Sequence, residues 1–305
     1  MKLQICLANA QSNEKGSGDT PDRNCAAGAP LCDPVTPYGT ATEASMWPRL
    51  AELAGREGHW IGVRNTARSS SSAPHAWAGC IVPHAVSSRF STGNYVVADG
   101  KFYKATSSSG ASINGTTGGT PPTWPASGTV VDGEITWTYQ RASTGADTDY
   151  KVFVEGDAEF DPNSYISNAY GFCGTGYDLN VVILQCGQED GARQTARTTF
   201  RDAMVSTGDY FAARGFSVMV GYTFYSPTEA AWADSTLIPA IADVLALRPA
   251  WKAGANLRQL LGNLPTAPAA GIAGLKSDAL HANNIALRLA ATHVYGALKS
   301  AFIAT

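Results

Sequence analysis

Residues 181–220, VVILQCGQEDGARQTARTTFRDAMVSTGDYFAARGFSVMV, decide the fold class. A short apolar run over 181–185 predicts a buried strand, and apolar residues at helical spacing predict an amphipathic helix over 192–214. A second apolar run over 216–220 predicts another strand. A strand, a helix and a strand in this order favour a parallel sheet covered by helices on both faces.

The same alternation precedes and follows this stretch of the chain. The further predicted elements are a strand over 2–7, a helix over 45–53, a strand over 60–63 and helices over 236–247 and 283–301. The first strand ends in a polar stretch rich in Gly, Ser, Asp and Asn, which is typical of a loop. The sequence therefore predicts an α/β fold in which a long loop follows the first strand.

The composition changes between residues 89 and 144. Residues 105–131 contain no charged side chain, and Gly, Ser, Thr and Pro dominate them. Short strand-like pieces around this tract lie at 95–97, 101–105 and 134–140. We expect a small all-β module here, inserted into an α/β domain whose two parts are residues 1–88 and 145–305.

Charge and hydropathy exclude several classes of partner. The chain has 305 residues, of which 44% are hydrophobic, and its 22 basic and 25 acidic side chains give a net charge of -3. No broad positive field is available to hold a phosphate backbone, so we expect no nucleic-acid partner. No apolar run approaches the roughly 20 residues of a membrane span, and the polar residues after Ala10 argue against a signal peptide.

The six cysteines do not form a disulfide framework or a C-x-x-C pair. Cys6 and Cys186 lie in apolar runs, which favours buried free thiols. Cys25 and Cys32 bracket a short loop and are either bridged or free. The histidines that have no second ligand at metal-binding spacing are His59, His84 and His293. We expect neither a metal nor a cofactor.

Three residues have the types that nucleophilic catalysis needs. Ser12 follows the first predicted strand, on a turn that exposes its hydroxyl. Asp278 and His281 stand three residues apart before the last predicted helix, so the carboxylate can orient the imidazole as a base. Serines also end strands for turn chemistry, and Asp278 is equally a common N-cap residue. The residues alone leave both interpretations open.

Two further loops follow predicted strands, Asn65 to Ser70 and Gly187 to Asp190. Taken in order with Ser12 and with Asp278-Ala279-Leu280-His281, they resemble the four blocks of the SGNH (GDSL-like) hydrolases. The first block reads Gln-Ser-Asn in place of Gly-Asp-Ser and looks most like sialate O-acetylesterases and acetylxylan esterases. The third block departs furthest, because it reads Gly-Gln-Glu-Asp where the family has G-x-N-D or G-E-S-D.

The resemblance implies a three-layer α/β/α sandwich of the flavodoxin-like kind, without a cofactor. It implies that Ser12 is the nucleophile, His281 the base and Asp278 the residue that orients it. The oxyanion donors would be the backbone N–H groups of Ser12 and Ala67 and the side-chain amide of Gln188. The implied substrate is an O-acetyl or short acyl ester on a carbohydrate.

The inserted module resembles small β modules of phage tail proteins and some carbohydrate-binding modules. Exposed rings of Trp124, Tyr103 and Trp137 would stack on sugars; the alternative is that these rings form the core of the module. The resulting expectation is an enzyme for an acetylated polysaccharide, associated with a phage tail or larger assembly. Two alternatives stay open: a non-catalytic binding or structural tail component with a decayed site, and a lipase or thioesterase of the same fold.

Overall fold

The computed structural model describes residues 1–10, 46–65, 81–110, 114–144, 176–223, 230–258 and 284–303. The chain divides into two compact units. The first comprises Met1–Ser72 and Tyr165–Thr305, and the second is Ala73–Ser164.

The first unit contains a five-stranded parallel sheet. Its strands are β1 (Lys2–Ala10), β2 (Trp60–Asn65), β10 (Leu179–Gln185), β11 (Ser217–Tyr222) and β12 (Lys252–Asn256). Their order across the sheet is β12-β11-β10-β1-β2, and every neighbouring pair is parallel. The α/β fold class predicted from the sequence is therefore confirmed.

Helices accompany these strands along the chain. They are α1 (Trp47–Arg56), α2 (Gln188–Arg193), α3 (Arg197–Ala212), α4 (Ala230–Trp232), α5 (Ile238–Leu247) and α6 (Asn284–Leu298). Two π-helical segments complete them: π1 (Ala233–Leu237) joins α4 to α5, and π2 (Lys299–Ile303) follows α6. Pro48, in the first turn of α1, has no N–H to leave unsatisfied there.

Apolar side chains are buried on both faces of this sheet. Leu3, Ile5, Val181 and Ile183 pack in one cluster with residues of α1 and α6. Side chains of the other parity in β10 and β11 are also buried; they are Val182, Leu184, Val218 and Val220. Because successive strand residues point to opposite faces, these four lie on the second face. Helices α3 and α5 contact β11, and α3 also contacts β10.

Two elements of this unit differ from the predicted secondary structure. The helix expected over 192–214 begins only at Arg197, because Gln194 adopts a left-handed conformation (φ 55°) that ends the separate helix α2. Strand β12 was not predicted, since Lys252, Gly254 and Asn256 break any apolar run. It joins the sheet by pairing with β11.

The described residues of the second unit, 81–110 and 114–144, form an all-β module. Its strands are β3 (Ile81–Pro83), β4 (Arg89–Ser91), β5 (Tyr95–Ala98), β6 (Lys101–Ser108), β7 (Asn114–Thr116), β8 (Thr129–Asp132) and β9 (Ile135–Ala142). One sheet has the order β3-β5-β6-β9-β8, and β4 pairs with β7. The unit is wider than the predicted 89–144, because β3 pairs with β5.

Candidate functional site

The carboxyl ends of three adjacent parallel strands lie at one edge of the first unit's sheet. Strand β1 stands between β10 and β2. Ala10, the last residue of β1, is paired with Gln185, the last residue of β10. Asn65, the last residue of β2, is level with Leu7, so β1 extends about 10 Å beyond β2. The chain thus leaves β1 and β10 at the same level, one strand spacing apart.

The sequence-predicted site residues follow these strand ends. Ser12 comes two residues after β1, Ala67 two residues after β2, and Gln188 three residues after β10. Ser12, Ala67, Asp278 and His281 lie outside the described residues, as do Cys25 and Cys32. Gln188 is described, and the strands that lead to the other two loops are described up to their last residues.

Gln188 begins α2 immediately after a sharp turn of the backbone. Gly187 has a φ of 139°, which a residue with a side chain rarely adopts. The N–H of Gly191 donates to the Gly187 carbonyl over 2.9 Å, which forms the first turn of α2. The Gln188 residue is 7% exposed. The side-chain amide that the sequence predicts as an oxyanion donor therefore belongs to a residue that is largely buried.

The strand ends next to this turn are tied together by a buried amide that the sequence analysis missed. Gln185 Nε2 donates to the backbone oxygen of Tyr222, the last residue of β11, over 2.9 Å. Burial raises the pKa of the Tyr222 phenol above its ordinary value of 10, so the ring keeps its proton to a higher pH than a free tyrosine. This contact joins residues 37 apart in the chain, and no local pattern signals it.

A cationic side chain follows β12 near the same edge. The Arg258 side chain is 11% exposed, and its Nη2 donates to Asp234 Oδ1 over 2.9 Å. The guanidinium therefore ties the end of β12 to π1. Sequence reasoning missed it because β12 itself was not predicted.

The structure places the three predicted sugar-stacking rings inside the β module. Trp137 and Tyr103 are fully buried, and Trp124 is 8% exposed. All three belong to one apolar cluster, and the Tyr103 hydroxyl donates to the Pro125 carbonyl oxygen. A ring packed on both sides offers no face to a pyranose, so these positions support the core interpretation and correct the sugar-binding one.

The module core also contains a polar group that the sequence did not indicate. His84 Nε2 lies 2.7 Å from Asp132 Oδ2, and both side chains are almost wholly buried. The other carboxylate oxygen accepts from the Gly118 N–H over 2.8 Å. The His84 ring stands edge-on to Trp124, with 4.9 Å between ring centroids. The His84 ring of this pair thus packs among the aromatic rings of the module core.

Metal ligation has no geometric basis in the described part of the chain. No group of three His, Cys, Asp or Glu side chains there could hold an ion. Cys186 is a buried thiol, as its apolar run predicted, and its Sγ lies 3.6 Å from Met204 Sδ. Within the same residues, no helix has both the length and the apolar character needed to cross a membrane.

Comparisons with protein-family models, with curated proteins and with solved structures found no match for this chain in any of the three.

Proposed function

We propose that the chain is a serine esterase of the SGNH type that hydrolyses O-acetyl or other short acyl esters on carbohydrate. The proposal rests on the strands from which two predicted loops begin. These are the loop of the nucleophile Ser12 and the third-block loop, which contains Gln188. They leave the paired ends of β1 and β10, Ala10 and Gln185, at one edge of a parallel sheet. The loop predicted to hold the second backbone donor leaves the neighbouring strand β2.

The order of the strands supports a site at this place. Along the chain the sheet grows from β1 to β2 on one side, and from β10 through β11 to β12 on the other. The order reverses between β1 and β10, and open α/β sheets bind ligands beyond the strand ends at such a switch point. A strand order of this kind is that of flavodoxin-like folds, and the proposal includes their three-layer α/β/α arrangement.

In the proposed mechanism Ser12 attacks the ester carbonyl while His281 takes the serine proton. Asp278 orients the imidazole and stabilises it when it is charged. The N–H groups of Ser12 and Ala67 and the amide of Gln188 stabilise the negative oxygen of the tetrahedral intermediate. His281 then returns the proton to the leaving alcohol, which leaves an acyl-serine. Water, deprotonated by His281, hydrolyses the acyl-serine and releases the acid.

The proposed substrate is an O-acetylated oligo- or polysaccharide, met by a protein associated with a phage tail or a larger assembly. The resemblance to carbohydrate esterases and the inserted module together support this class. Because Trp124, Tyr103 and Trp137 form the module core, recognition of the polymer is not assigned to these rings. The proposal assigns the positioning of polymeric substrate to the inserted module as a whole and to none of these three rings.

The test measures acetate release from a panel of acetylated oligosaccharides beside p-nitrophenyl esters of increasing chain length. We expect release from acetylated sugars and a preference for acetate over long acyl chains, both lost in Ser12→Ala. A preference for long chains would favour a lipase or thioesterase. Binding of the polysaccharide without any ester hydrolysis would favour a tail component with a decayed site.

A further inference from the structure

The segment that carries Gln188 is held at both ends by one neighbouring helix. Segment 187–195 contains α2, which has only six residues and cannot be stable by itself. At its start, a Cβ built on Gly187 would lie 3.0 Å from Leu237 Cδ1. At its end, Trp232 Nε1 donates to the Thr195 carbonyl oxygen over 2.8 Å. Trp232 and Leu237 are both buried, and both belong to the helix formed by α4, π1 and α5.

The π-helical turn explains how one helix reaches both ends. Trp232 and Leu237 are five residues apart, and in an α-helix two such residues point about 140° apart. In a π-helix each N–H bonds to the carbonyl five residues earlier, so side chains five residues apart point to nearly the same side of the helix. Here the N–H of Ile238 bonds to the Ala233 carbonyl, five residues back. The π1 turn thus allows both side chains to face segment 187–195.

Segment 187–195 has support within itself as well. The Thr195 N–H donates to the Asp190 carbonyl over 2.9 Å and closes the segment behind α2. The Trp232 ring also packs edge-on against Phe200 of α3, with 6.0 Å between centroids. The contacts from Trp232 and Leu237 therefore link the segment to the packed helices of the first unit.

We propose that Trp232 and Leu237 are positioning residues, which set the place of Gln188 through the π1 turn. The inference rests on the proposed esterase function and on Gln188 as an oxyanion donor. Neither residue is proposed to touch the substrate. Their effect is on transition-state stabilisation, because an oxyanion donor must stand at hydrogen-bond distance from an oxygen that becomes charged only during the reaction.

The test compares steady-state kinetics on p-nitrophenyl acetate for Leu237→Ala, Trp232→Phe and a matched control. We expect Leu237→Ala to lower kcat about tenfold with KM within about twofold, as loss of an interaction made only in the transition state requires. Leu237→Met, which conserves volume, should restore the rate. The control is Leu247→Ala, at a half-exposed position at the end of α5, which should leave kcat within about twofold.

A double variant separates positioning from a general loss of packing. If Leu237 acts through Gln188, the kcat of Gln188→Ala/Leu237→Ala equals that of Gln188→Ala alone. Multiplied losses, or unchanged kinetics in both Leu237→Ala and Trp232→Phe, would overturn the inference. Trp232→Phe keeps a six-membered aromatic ring and removes the N–H donor together with the five-membered ring that carries it, so it gives a second measurement if Leu237→Ala does not fold.

Two further measurements keep the two proposals apart. If the wild-type protein hydrolyses no ester, or if Ser12→Ala is as active as the wild type, the esterase proposal fails and this inference fails with it. If the wild type is active and Ser12→Ala is not, unchanged kinetics in the positioning variants refute the inference alone.

Discussion

Asp132 offers the sharpest test of how the β module is held together. Its side chain is 1% exposed, and its carboxylate contacts three separate parts of the module. One oxygen accepts from the Gly118 N–H over 2.8 Å, and the other lies 2.7 Å from His84 Nε2. Trp137 Nε1 stands 3.4 Å from this second oxygen, which adds a weak third contact. Removal of the carboxylate should therefore cost more than loss of one hydrogen bond.

The loss of folding free energy in each variant depends on which buried groups are left without a hydrogen-bond partner. Asp132→Ala leaves both the Gly118 N–H and the His84 ring without their acceptor in the core, and each such unsatisfied buried group costs about 1–3 kcal/mol of folding free energy. Asp132→Asn keeps one acceptor oxygen but turns an NH₂ toward one of its former donors. We expect that variant to lose about 1–3 kcal/mol, the cost of one unsatisfied buried group.

Hydrogen–deuterium exchange resolves the effect within the module. The amides of β8 and β9 should exchange faster in Asp132→Asn, while those of β10 and β11 in the other unit stay as protected as in the wild type. The matched control is Asp99→Asn, where the side chain is 69% exposed and pairs with Lys101. A surface pair of this kind contributes at most about 1 kcal/mol. Equal exchange in the two Asn variants would refute the reasoning.

Three other predictions test the packing and the division of the chain. Burial, and after it the neighbouring Glu57 carboxylate, raises the pKa of Tyr295 to about 12 from its ordinary value of 10. The folded state therefore holds the phenolic proton more tightly, and this contribution to stability is complete below about pH 10 and lost as the pH rises to about 12. Tyr295→Phe should lose less stability than the wild type between pH 9 and pH 11.5, as measured by urea unfolding; an equal loss would contradict the assignment. Gly187→Ala should destabilise the first unit by about 1–3 kcal/mol, because its φ of 139° is strained for alanine and Leu237 occupies the space of the new Cβ; an unchanged urea midpoint would contradict this. Residues 81–144 can be replaced by a Gly/Ser linker of about 12 residues, which spans roughly 20 Å. This variant should hydrolyse a small acetate ester at a rate within several-fold of the wild type, while its activity on acetylated polysaccharide falls much further. An equal loss of both activities in a folded variant would contradict a substrate-positioning role for the module.

The parallel sheet was predictable because its inner strands are apolar runs. The central residues of β10 (181–184) and β11 (218–220) are buried and consist only of Val, Ile, Leu and Met, which a window of a few residues detects. β12 sits at the edge and consists of Lys, Ala, Gly and Asn, so only its pairing with β11 makes it a strand. Local hydropathy thus predicts strands that are buried on both faces. It misses an edge strand such as β12, which has no apolar run and is defined by its pairing with a neighbour.

The parts of the candidate site that the sequence missed depend on contacts between distant residues. The hydrogen bond from Gln185 to Tyr222 joins the ends of two adjacent strands that are far apart in the chain. The contact of Leu237 with Gly187 requires a π turn, which a 3.6-residue period does not signal. The aromatic residues of the module were noticed in the sequence, but their residue type does not determine their role. Trp124 and Trp137 fit a sugar platform and a small core equally well by residue type, and only burial distinguishes the two.

The central claim, that Ser12 is an activated nucleophile, is tested most directly by covalent labelling. A fluorophosphonate reacts with a serine whose hydroxyl is deprotonated by a neighbouring base, and mass spectrometry locates the adduct. We predict one adduct on the wild-type protein, on the peptide that contains Ser12, and its loss in His281→Ala. A folded protein that takes up no label, or that is labelled at a different serine, would contradict the account.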